Sequence, residues 1–117
     1  MITDERLLIA SHIKPWVDCD DQEKYDPNNG YMLSPMYDKL FDRGFMTFTN
    51  DKKVILSDCI SQHTWKLIGL ETGKYIQHLK MNAEREKYLK FHQESVFKGN
   101  RTNIEEIIYG LKNITSY

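Results

Sequence analysis

The feature that most narrows the folds open to this chain is a strongly polar stretch, Asp18 to Gly30 (DCDDQEKYDPNNG), set between two short apolar runs. Its acids, its proline and its Asn-Asn-Gly ending are turn chemistry: short polar side chains bond to nearby backbone, and glycine accepts angles that other residues avoid. A structured but irregular connection is expected there, and such connections are where binding and catalytic groups collect.

The flanking segments have clearer periodicity. Leu7 to Ala10 reads as a buried strand ending at the His12–Pro15 segment, and Tyr31 to Leu33 as a second short strand. Ser34 followed by Pro35 predicts an N-cap with proline at the first helical position. The helix that follows takes Met36, Leu40, Tyr37 and Phe41 as its apolar side, with Gly44 as its stop. Phe45 to Thr49 and Val54 to Leu56, joined through Asn50-Asp51, predict a β-hairpin. Asn82 opens a helix with Glu84 and Glu86 in its first turns, and Tyr88, Leu89, Phe91, Val96 and Phe97 are its apolar positions up to Gly99. A last helix is expected over Thr102 to Leu111.

At 117 residues, with 40% hydrophobic and 28% charged side chains, the chain has the size and composition of one soluble α+β domain, which excludes a multidomain enzyme. No apolar run approaches the roughly 20 residues of a membrane span. The start, MITDERLLIA, lacks the basic and apolar pattern of an export signal, so the expected location is cytoplasmic, with no membrane partner. Cys19 and Cys59 lack CxxC spacing and are expected as free thiols, which argues against a zinc knuckle. Charge is unevenly spread. Glu5 to Phe48 holds five basic and eight acidic residues, whereas Lys52 to Arg101 holds ten basic and five acidic. The second half could offer phosphates a weakly basic surface, although such lysines more often simply solvate helix faces.

Three residues stand out by context: His12 at the end of the first strand, Asn29 in the turn and Asp38 on the short helix. Around them the blocks Ala10-Ser11-His12-Ile13-Lys14-Pro15-Trp16, Asp26-Pro27-Asn28-Asn29-Gly30, Leu33-Ser34-Pro35 and Leu40-Phe41-Asp42-Arg43-Gly44 occur in order. This succession resembles the HNH endonucleases over residues 7 to 48. Tyr88 to Phe97 (YLKFHQESVF) is similar to a helical tail in a subset resembling bacterial restriction endonucleases with a C-terminal HNH domain.

The resemblance implies a ββα-metal core over residues 1–50, with an additional β-hairpin and C-terminal helices over 51–117 packed on the same domain. It gives His12 the part of general base and Asn29 that of the residue orienting it. Asp38, nine positions after Asn29, takes the place of the final histidine, a metal ligand. An aspartate there suits Mg²⁺ or Mn²⁺ better than Zn²⁺. Ser11 stands where many members carry another ligand, and would be a weak one. The chemistry is coherent without the family: hydrolysis of a phosphodiester needs a base titrating near neutrality, a group that aims it and a cation to take up developing charge. Arg43 and Lys14 could clamp phosphate oxygens, Arg43 through its two-pronged fork.

The implied function is cleavage of DNA within a restriction system, with a catalytically weak nucleic-acid-binding module or an RNA-cleaving nuclease as competitors. A homodimer would present two sites to a duplex, and a DNA-recognition domain is expected outside this chain, since relatives carry more sequence upstream. Asp42 is expected to brace the helix end, and His63, His78 and His92 to be structural or exposed, with His92 and Asp42 held in reserve as site residues. Trp16 and Trp65 read as core or lid residues. Asp18 to Asp26 lacks the spacing of a calcium loop.

Overall fold

The computed structural model of the chain describes residues 5–99. After a 3₁₀ turn over Glu5–Leu7, strand β1 (Ile9–His12) leads through a second 3₁₀ turn, Trp16–Asp18, to helix α1 (Asp21–Lys24). Strand β2 (Gly30–Leu33), helix α2 (Pro35–Asp42), strands β3 (Met46–Phe48) and β4 (Val54–Leu56), helix α3 (Gln62–Ile68) and helix α4 (Ala83–Phe91) complete the order. A π turn, His92–Val96, extends α4. The layout is the expected α+β one, two antiparallel hairpins with helices, and its first three main elements are a ββα unit. The last helix expected from the sequence falls outside the described residues.

The first strand departs from expectation by two residues. It begins at Ile9, with Leu7 left exposed in the 3₁₀ turn, and it ends on His12 as the sequence predicts. Pairing decides this: Ile9 sits opposite Leu33 and His12 opposite Gly30, so the turn closing on Gly30 sets the register and the apolar run does not. The polar connection contains a helical turn of its own, capped reciprocally by Asp20 and Glu23.

Helix α2 starts as its sequence predicts, with Ser34 accepting from the Tyr37 amide and Pro35 at the first position. Its apolar side is corrected: Tyr37 and Phe41 are buried, whereas Met36 faces water. Ring-to-ring contacts join Phe41 to Phe48, centroids 5.2 Å apart, and Tyr31 to both, which ties β2, α2 and β3 into one core.

The second hairpin forms as predicted, and every residue of β3 is buried. The π turn packs over it: Thr47 bonds His92, and Gln93 donates to the Phe48 carbonyl. Helix α3 was not foreseen. Ser61 caps it, Gly69 ends it in the left-handed conformation, and it anchors through buried Trp65, whose indole N–H donates to the Ser57 carbonyl. Trp65 is thus a core residue, as expected.

Candidate active site

Strand β1 and helix α2 converge on a cleft of about 250 Å³ lined by Ser11, His12, Pro15, Trp16, Asp42 and His92 among others. Each reaches it for a local reason. His12 ends β1, where the chain leaves the sheet. Asp42 closes α2 one turn after Asp38, so the two carboxylates share a helix face.

The imidazole of His12 is fixed from one side. Its Nε2 lies 3.1 Å from the Lys24 carbonyl oxygen. A carbonyl can only accept, so Nε2 carries the hydrogen and Nδ1 is left with the lone pair. That is the arrangement a general base needs. Trp16 packs edge-on against the ring, centroids 5.4 Å apart.

Asn29 does not touch His12. It is 2% exposed, and its side chain laces the irregular connection together: Oδ1 accepts from the Lys14 amide at 2.8 Å, and Nδ2 donates to the carbonyls of Glu23 and Lys14 and to the Cys19 sulfur. It thereby ties down α1, whose Lys24 carbonyl receives the His12 ring. Burial pushes the Cys19 thiol up despite the Asn29 donor, which makes it a packing residue.

The acidic side of the cleft is Asp42. The Ser11 hydroxyl, itself buried, donates to its Oδ1 at 3.2 Å. Partial burial, followed by repulsion from Asp38, raises the Asp42 carboxyl above its ordinary range, against the opposing pull of Ser11 and His12. Asp38 is half-buried one turn away and is not part of the cleft lining. The sequence reading placed the principal acid at Asp38 and a brace at Asp42, whereas the geometry brings Asp42 beside Ser11 and His12. Asp42, a reserve candidate from the sequence, lies four residues past Asp38 on the same helical face.

The candidate phosphate contacts separate. Lys14 is held by Glu23, its Nζ 3.0 and 2.9 Å from the two carboxylate oxygens, and it lies over the Phe91 ring. The hydrogen bond to Glu23 raises its ammonium, so its charge is already answered within the protein. Arg43 caps the C-terminus of α2 with its side chain exposed.

His92, the reserve candidate, is spent on the fold. It is 1% exposed, its Nε2 donates to the Phe41 carbonyl at 2.8 Å, and its Nδ1 accepts from the Thr47 hydroxyl at 2.8 Å. It stacks flat on Phe41 at 3.7 Å, and burial pulls it down to about 4, so it is neutral.

A cation fits the donor set in one respect. Asp38 and Asp42 are hard oxygen donors that repel one another, and positive charge would relieve that repulsion. Among the described residues, however, no group of three or more His, Cys, Asp or Glu converges, so the protein itself would supply few ligands.

A two-stranded hairpin and the helix after it form a ββα unit that brings His12 and Asp42 to one cleft. Residues 1–49 match the family described as HNH endonuclease. HNH endonucleases are phosphodiester hydrolases that act on nucleic acid with a divalent metal ion. A search of curated proteins returns no match. Among the described residues no helix is long and apolar enough to cross a membrane.

Proposed function

We propose that this protein is a Mg²⁺- or Mn²⁺-dependent endonuclease that cuts DNA as part of a restriction system, with His12 as the general base. The observation that supports it most is the His12 geometry: Nε2–H committed to the Lys24 carbonyl and Nδ1 turned to proton acceptance beside a carboxylate-lined cleft. Asn29 positions this base through the connection it laces together. Asp42 and Asp38 would hold the ion, with Ser11 orienting the Asp42 carboxylate rather than ligating, and water and phosphate oxygens completing the shell. When bound, the ion supplies charge stabilisation to the attacked phosphate. Arg43 remains the candidate phosphate contact, and Lys14 serves the loop instead.

The test is nicking of supercoiled plasmid with Mg²⁺ or Mn²⁺. His12→Ala is expected to lower the rate by about 10²-fold or more, the usual contribution of a positioned base. Equal rates in the two proteins would overturn the assignment. Running an RNA substrate in parallel assigns the polymer. The sparse ligand set favours one competing reading, a nucleic-acid-binding module with little turnover. It requires DNA association that is indifferent to Asp42→Asn and no cleavage at any metal concentration.

A further inference from the structure

Resting on the nuclease reading above, we propose that Trp16, braced at a right angle by Tyr25, forms a shelf on which an unpaired DNA base stacks beside the phosphate being cut, so that single-stranded or frayed DNA is preferred over intact duplex. Of the two expectations for Trp16, core or lid, its 47% exposure excludes the core, and Tyr25 is 77% exposed. The two rings stand in series from the base of the reaction: Trp16 edge-on to His12 at 5.4 Å, Tyr25 edge-on to Trp16 at 5.8 Å. Trp16 also lines the same cleft as His12 and Asp42. A row of open aromatic surface continuous with a nuclease site is costly to keep wet unless something covers it.

The charge around the shelf selects the occupant. The Lys24 ammonium lies over the Trp16 ring, 5.1 Å from its centroid, where it would meet the phosphate next to a stacked base. The carbonyl of the same residue receives His12 Nε2, so strand contact and base orientation share one backbone position. A base inside a duplex has both faces covered by its neighbours, and only a base freed from the stack can lie on an aromatic side chain. The shelf therefore reads strandedness and is indifferent to base identity.

The experiment uses the full chain without metal, titrated with three probes: a 12-nucleotide thymidine strand, a matched strand of abasic residues and a 12-base-pair duplex. Iodide quenching of tryptophan emission isolates Trp16, because Trp65 is 3% exposed. The thymidine strand is expected to bind about tenfold more tightly than the abasic strand, the usual worth of one stacked base, and to shield Trp16 from iodide. It should also bind more tightly than the duplex. Trp16→Ala and Tyr25→Ala should abolish the preference for bases, while Trp16→Phe and Tyr25→Phe keep it. Equal binding of the thymidine and abasic strands, an unshielded Trp16, or alanine variants that keep the preference would each overturn the proposal. Should an alanine variant fail to fold, the wild-type comparison of thymidine with abasic strand decides alone. Plasmid nicking is scored separately: nicking that depends on His12 without any preference for bases rejects the shelf and leaves the nuclease. Base-dependent shielding with no metal-dependent cleavage supports the shelf and rejects the nuclease.

Discussion

At His92 both ring nitrogens are engaged, one by a backbone carbonyl and one by a hydroxyl, and the ring is buried where a charge would lose its hydration. The consequence is acid sensitivity with a defined sign. The unfolded chain takes up this proton near the ordinary histidine value of 6.5, whereas the folded ring resists down to about 4. The unfolded state therefore binds more protons between those values, and stability is full above the upper one and falls as pH drops toward the lower one. The loss approaches about 3 kcal/mol. Urea midpoints at neutral pH and near pH 4.5 should show it, and His92→Gln, though less stable at neutral pH, should flatten the dependence. Asn29→Ala leaves a buried amide and carbonyls without their partner and is expected to cost about 2–3 kcal/mol, read from the same denaturation curves. At Asp42, substitution by Asn should raise the Mn²⁺ concentration needed for half-maximal nicking, with Asp38→Asn giving a smaller rise. Residue types and spacing singled out His12, Asn29 and Asp38, of which His12 lines the cleft and the other two stand outside its lining. The Ser11–Asp42 bond, the Lys24 carbonyl behind His12 and the Glu23 partner of Lys14 were not legible in the sequence, because each depends on where the chain returns in space.

Among the elements, the joint between the ββα unit and the later helices is most exposed to a single change. Gly44 has a φ of +76°, and a Cβ there would run into the Val96 carbonyl oxygen, while its own carbonyl accepts from the Lys98 amide. Gly44→Ala combines a disfavoured backbone with a clash against main chain and is expected to cost about 2 kcal/mol or more in thermal or urea unfolding. The start of α4 grips the turn before β2 in a complementary way. Arg85 donates to Asn28 and to the Pro27 carbonyl, and the Tyr88 hydroxyl donates to Asp26 at 2.6 Å, a bond that holds the Asp26 carboxyl below its usual range. Tyr88→Phe should lower stability near neutral pH and lessen its fall in acid, where Asp26 is protonated in any case. Elements with strong local punctuation were readable: Ser34-Pro35 before α2, Asn82 before α4, Asn50-Asp51 between β3 and β4. Short helices escaped, α1 because its acids and lysine look like loop, α3 because only Trp65 among its residues is buried.

For the molecule as a whole, the core is drawn from both halves of the sequence: Ile13, Tyr31, Leu33 and Phe41 pack with Val54, Trp65, Leu79, Tyr88 and Leu89. A fragment ending at residue 50 should therefore lack cooperative melting by circular dichroism, even though it contains every motif that marks the family segment. The grip of Arg85 and Tyr88 on residues 26–28 then has a bearing on how such a protein can diversify. Grafting the first fifty residues onto an unrelated tail would carry over the signature while discarding the clamps that keep the turn before β2 in place. Lineages that exchange parts should do so beyond α4, leaving the stretch from His12 to His92 to be inherited as one piece.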